Sequence, residues 1–157
     1  FDITAYKNGF HGDAARTYIV GKPKSVEDQK LVEVTKQAFF EGLKFAKKGY
    51  RVGDISNAIY EYVKSNGFSI LREFQGHGIG REMHEDPGIP NYGKPGRGMR
   101  LEPGMTICIE PMVIAGNREI YELDDGWTIC SADGTNSAHY ENTILITENE
   151  PEILTKL

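Results

Sequence analysis

The first six residues, Phe1-Asp2-Ile3-Thr4-Ala5-Tyr6, alternate between apolar and polar positions, the period of a strand with one face turned inward. Asn8-Gly9 supplies the two positive-φ positions of a tight hairpin turn, and Phe10 to Val20 reads as the return strand. A two-residue turn pairs Lys7 with Phe10 and sets Asp2 opposite Ala15, with Asp13 two residues away on the same face. From Ser25 the period changes to that of a helix. Ser25 and Asp28 form the pattern of a capping box, and Leu31, Val34, Ala38 and Phe45 recur at helical spacing until Lys47-Lys48-Gly49. A second helix takes Asp54 as N-cap, carries Ile55, Ala58, Ile59, Tyr62 and Val63 on one stripe, and stops at Asn66-Gly67. Short strand-like runs follow, at Phe68 to Phe74, Met105 to Ile114, Trp127 to Ser131 and Ala138 to Thr147. Gly- and Pro-rich loops separate them, densest from Pro87 to Gly104. The order β-β-α-α-β-β-β-β predicts an α+β fold with helices covering one face of a mostly antiparallel sheet.

Composition narrows the possibilities. The 157 residues are 39% hydrophobic and 26% charged, the balance of one globular domain spanning 1–157. No run approaches the roughly 18 apolar residues of a membrane helix, so no membrane partner is expected. Cys108 and Cys130 are too few for a disulfide framework and lack the paired spacing of a zinc site, which favours a reducing, cytoplasmic setting. The net charge of -5 is spread without a long single-sign block, which disfavours nucleic acid as a partner. Some of the acid surplus is free to face metal. The chain opens directly on a strand, which reads as a piece of a longer protein.

Candidate chemistry lies at strand ends, in Asp2, Asp13, His77, Glu110 and Glu141. Each alone has an ordinary reading: a turn carboxylate, a frayed-end acid, an outward-facing strand residue. Together, four carboxylates and an imidazole suit two hard divalent cations held a few ångströms apart, because crowded carboxylates repel one another and cations cancel that charge. His77 stands in Gly76-His77-Gly78-Ile79-Gly80, whose glycines admit close backbone approach and present the imidazole at a loop apex. His84, seven residues on, reads either as a surface histidine or as a donor to a substrate amide. His11 and His139 adjoin candidate ligands without a spacing of their own and read as bystanders.

The segments His11-Gly12-Asp13-Ala14-Ala15-Arg16-Thr17, Gly76-His77-Gly78-Ile79-Gly80-Arg81, His84-Glu85-Asp86-Pro87, Gly104-Met105-Thr106, Ile109-Glu110-Pro111-Met112 and Tyr140-Glu141-Asn142-Thr143 closely resemble type I bacterial methionine aminopeptidases, across essentially the whole chain. The resemblance implies the pita-bread fold and removal of the initiator methionine from new polypeptides by a hydroxide held between two divalent metal ions. It implies Asp2, Asp13, His77, Glu110 and Glu141 as metal ligands, Glu110 also as general base, and His84 as a contact to the scissile amide. Trp127 and Met83 are the implied lining of the methionine pocket. Co, Mn, Fe and Zn all suit oxygen-rich ligation with one histidine. The implied partners are the N-terminal methionine of peptides and nascent proteins, with them the ribosome, and a complementing N-terminal chain, because the family carries a further segment before the strand of Asp2. Two local departures stand out: Cys108 where Thr is expected, and His139 where Gln is common. Rival readings are a prolidase-type peptidase of the same fold, and a pita-bread module that has lost its metals and binds peptides. Met112 after Glu110-Pro111 favours the methionine enzyme over the first, and the intact ligand set disfavours the second.

Overall fold

The computed structural model describes residues 1–156. Strand β1 (Asp2–Lys7) turns through Asn8 (φ 53) and Gly9 (φ 85) into β2 (Phe10–Ala15). The register is the one the turn dictates, Lys7 opposite Phe10 and Asp2 opposite Ala15. β2 is shorter than the sequence suggests and ends at Ala15, with Arg16 still exchanging main-chain hydrogen bonds with Phe1.

Helix α1 (Val26–Leu43) starts at the expected capping box: Ser25 Oγ accepts from Asp28 N at 3.1 Å, and Asp28 Oδ2 accepts from Ser25 N at 3.0 Å. It ends sooner than Lys47, because Phe45 N and Ala46 N turn to the carbonyls of Gly42 and Leu43, three residues back, and tighten the last turn. Helix α2 (Val52–Ser65) begins before Asp54. Asp54 caps from inside the first turn, its Oδ2 accepting from Arg51 N at 2.8 Å and its Oδ1 from Gly96 N at 2.7 Å. Leu31, Val34, Ala38 and Phe39 of α1 pack with Ile55, Ile59 and Val63 of α2 in one buried cluster. The helices approach closely at Gly42, where a Cβ would press on the Ile59 side chain.

Ten short strands follow: β3 (Ser69–Ile70), β4 (Gln75–Gly78), β5 (Glu85–Pro90), β6 (Thr106–Ile109), β7 (Met112–Ile114), β8 (Ile120–Glu122), β9 (Ile129–Ser131), β10 (Ser137–His139), β11 (Asn142–Leu145) and β12 (Glu152–Ile153). Every pairing among them is antiparallel. Five strands form a sheet in the order β12-β11-β6-β4-β5, three form β10-β7-β3, and β8 pairs with β9 alone. The helices cover these sheets, sharing the core with Ile89, Ile107, Ile109, Val113 and Ile144.

Two of the expected runs are each cut in half. Met105 to Ile114 breaks at Glu110-Pro111, where proline has no N–H for a ladder, into β6 of the larger sheet and β7 of the smaller. Ala138 to Thr147 breaks at Tyr140-Glu141 into β10 of the smaller sheet and β11 of the larger. Since β6 pairs with β11 and β7 with β10, both chains change sheets at the same place. The joint sets Glu110 and Glu141 side by side. The β1-β2 hairpin docks there as well, Glu141 N donating to Ala15 O at 3.0 Å and His11 N to Gly80 O at 2.8 Å.

Candidate metal centre

Asp13 comes from the hairpin and is 5% exposed. Its backbone is locked to β11, since its N–H donates to Thr143 Oγ1 at 2.8 Å while that hydroxyl donates back to Asp13 O at 3.0 Å. Oδ2 accepts from Thr4 Oγ1 at 3.0 Å; Oδ1 is buried without a partner. Glu141 is 2% exposed, and its Oε1 is likewise buried without a partner. Burial, followed by the charges of Glu110, Asp13 and Asp2, pushes the Glu141 carboxyl up to about 9. Uncompensated, this acid would stay protonated at neutral pH.

His77 lies within β4, at an irregularity in its pairing with β5, and not at the loop apex the glycines suggested. The glycines serve sheet packing instead. A Cβ on Gly76 would collide with the Cys108 carbonyl, and one on Gly78 with the Asp86 carbonyl, so only glycine lets β4 sit this close to its neighbours. Gly76→Ala is expected to cost about 1–3 kcal/mol through forced backbone displacement, read as a lower urea midpoint with unchanged slope.

The His77 ring is oriented by the main chain: Nδ1 lies 2.8 Å from Gly78 O, which in the neutral imidazole places the proton on Nδ1 and leaves Nε2 a bare acceptor. That acceptor faces Glu110 Oε1 at 3.7 Å. Two acceptors confronting each other, beside the two orphaned carboxylate oxygens, form a site that a cation satisfies. The donor set, carboxylate oxygens with imidazole nitrogen, suits a divalent metal. Asp13, His77, Cys108 and Glu141 each offer one ligand atom within 4.8 Å of the others, and so do Glu110, His139 and Glu141.

A cavity of about 690 Å³ opens over this cluster, lined among others by Asp2, His77, His84, Glu110, Met112 and His139. Asp2 is exposed on this wall and belongs to neither close ligand group among the described residues. The His84 ring stacks edge-on against His77 with centroids 4.4 Å apart. The cavity lining does not include Trp127 or Met83: Trp127 is 86% exposed beside the β8-β9 hairpin and Met83 is 37% exposed. Two residues read as departures or bystanders belong to the cluster instead. Cys108 is fully buried, its thiol pushed well up by burial and by Glu141, and His139 Nε2 lies 3.4 Å from Glu110 Oε2. The signal in the sequence was the two-residue step of a strand, Cys108 to Glu110 and His139 to Glu141.

A mostly antiparallel α+β frame that gathers carboxylates and imidazoles around unfilled acceptors has the make-up of a metal-binding centre. The chain belongs to metallopeptidase family M24, whose family model matches residues 1–148. A methionine aminopeptidase of Clostridium perfringens is 56% identical over 148 residues, 94% of this chain and 59% of that protein. The crystal structure of a methionine aminopeptidase from Thermotoga maritima superposes with TM-score 0.96 at 51% identity, covering 99% of this chain and 62% of that one. A prolidase from Pyrococcus furiosus is more distant, with TM-score 0.77, 28% identity and coverage of 99% and 40%. The fold is the expected pita-bread fold, and the chain spans about 60% of the length of the curated relatives it matches.

Proposed function

We propose that this chain carries the catalytic centre of a metal-dependent aminopeptidase that removes N-terminal methionine from peptides and nascent proteins. The observation that carries the reading is the pair of confronting acceptors on the cavity wall, His77 Nε2 and Glu110 Oε1, grouped with the buried and unpartnered Asp13 Oδ1 and Glu141 Oε1. Similarity of 56% to a methionine aminopeptidase against 28% to a prolidase favours methionine over Xaa-Pro substrates. A peptide-binding module without metal would have no reason to bury unpaired carboxylates.

Asp2, Asp13, His77, Glu110 and Glu141 would hold two divalent ions, Co, Mn, Fe or Zn, with residues 1–157 acting as one metallopeptidase domain. When bound, such ions supply Lewis acidity and lower the pKa of water from about 15.7 toward neutrality. Glu110 accepts the proton of the attacking water and returns it to the departing amine. His84, on the cavity wall beside His77, donates to the scissile amide as charge develops there. No described helix is long and apolar enough to cross a membrane, and both cysteines are free, which suits work in the cytoplasm on chains leaving the ribosome. A complementing N-terminal segment would cover the exposed hairpin face that holds Ile3 and Phe10.

The test is elemental analysis for metal together with methionine release from a Met-Gly-Xaa peptide. The expected result is bound metal, release of free methionine, and no cleavage of an Xaa-Pro dipeptide. Cleavage of Xaa-Pro alone would move the protein to the prolidases, and metal-free peptide binding would make it a module. His84→Ala is expected to lower kcat about 10²-fold, whereas a change confined to KM would remove His84 from the chemistry.

A further inference from the structure

We propose that His139 is a positioning residue for Glu110, its Nε2–H donating to Glu110 Oε2 so that the other carboxylate oxygen stays turned toward His77. The inference rests on the assignment of Glu110 as proton carrier. It begins from an asymmetry at that carboxylate. Oε1 lies 3.7 Å from His77 Nε2 and Oε2 lies 3.4 Å from His139 Nε2. In the neutral ring His77 Nε2 is the bare nitrogen, because Nδ1 is engaged by Gly78 O, and it then has no hydrogen for Oε1. His139 Nε2 is buried and makes no hydrogen bond, with Glu110 Oε2 3.4 Å away, so a small rotation of the carboxylate closes the contact. Of the two imidazoles, only His139 is placed to donate.

Glu110 needs such support. It lies in the break between β6 and β7, outside both ladders, where its carbonyl is held by Asn91 Nδ2 at 3.0 Å. That bond fixes the main chain and leaves the carboxylate free to rotate. His139 is itself fixed. Its N–H bonds to Thr17 Oγ1 and its carbonyl to the same hydroxyl, both at 2.9 Å, and it pairs across the sheet with Met112, two residues after Glu110. The ring therefore approaches from a backbone tied on one side to the segment after β2 and on the other to β7. A carboxylate that must accept a proton and hand it on benefits from one oxygen held and one free.

The competing role for His139 is that of a metal ligand, since Glu110, His139 and Glu141 offer atoms within 4.8 Å of one another. Glutamine distinguishes the two roles, because its amide keeps an N–H donor and is a poor metal ligand. In the intact protein, His139→Ala is expected to lower kcat for methionine release about 10- to 100-fold with KM nearly unchanged, and His139→Gln to restore most of it. Calorimetric titration with Mn(II) should give the same stoichiometry and affinity for wild type and both variants. A readout independent of turnover is the ring tautomer in the metal-free protein. Correlation spectra of ¹⁵N-labelled histidine should show His139 protonated at Nε2, with a proton resonance that moves in Glu110→Ala. Loss of metal affinity in both variants, a bare Nε2, or unchanged kcat in His139→Ala would each overturn the proposal. If the wild-type protein releases no methionine, the aminopeptidase reading fails by itself, and the tautomer still decides whether His139 holds Glu110.

Discussion

Glu110→Gln is expected to lower methionine release about 10³-fold, within the range that general acid–base groups contribute, while metal content falls far less. The substitution keeps the volume and one carbonyl oxygen but removes the proton acceptor. Its surroundings make the comparison informative, because the Asn91 bond to the Glu110 carbonyl is made by main chain and survives the change. The measurement pairs steady-state kinetics with elemental analysis of the same sample. Parallel loss of turnover and metal would make Glu110 chiefly a ligand.

Chelation is expected to make stability depend on pH in a direction opposite to ordinary acid denaturation. The Glu141 carboxyl, held up to about 9 by burial and by neighbouring acids, keeps its proton in the metal-free fold, whereas the unfolded chain releases it near the ordinary glutamate value of 4.5. Between those values the native state binds more protons than the unfolded one, so stability falls as pH rises from about 4.5 to about 9 and is flat beyond. The melting temperature of the chelated protein should drop by about 2–8 °C from pH 5 to pH 9, taking about one to two kcal/mol for a domain of this size. Restored divalent metal should raise the melting temperature most at high pH, where the carboxylates are ionised and bind it best. A chelated protein whose melting temperature rises across this window would contradict the burial and charge argument for Glu141.

The sequence was most legible where structure is local. Asn8-Gly9 set the hairpin and its register, and Ser25 with Asp28 set the start of α1, because each depends on residues within a turn of each other. It was least legible from Gln75 to Pro90, which reads as loop and forms β4 and β5. Neither strand alternates, since Gly76 and Gly78 are demanded by neighbouring backbones, and Pro87 and Pro90 are tolerated because β5 is the edge of its sheet. The same gap placed His77 on a loop. The residues that converge at the cluster could be named from short motifs, yet the company they keep could not. Cys108 and His139 enter through strand pairings between segments about 30 residues apart, a relation that no local period records. Trp127 and Met83 were drawn from resemblance alone, and neither is among the residues that line the cavity within residues 1–156.

Glu110 and Glu141 ride on the joint where two strand pairs pass from one sheet to the other. Their separation is therefore a measure of the angle between the sheets, not of the length or sequence of either strand. Tyr140, next to Glu141, packs on Phe39 of α1 at a centroid distance of 5.3 Å, which ties the joint to the helical layer. The precision of the acid cluster is inherited from curvature, and curvature belongs to the whole core.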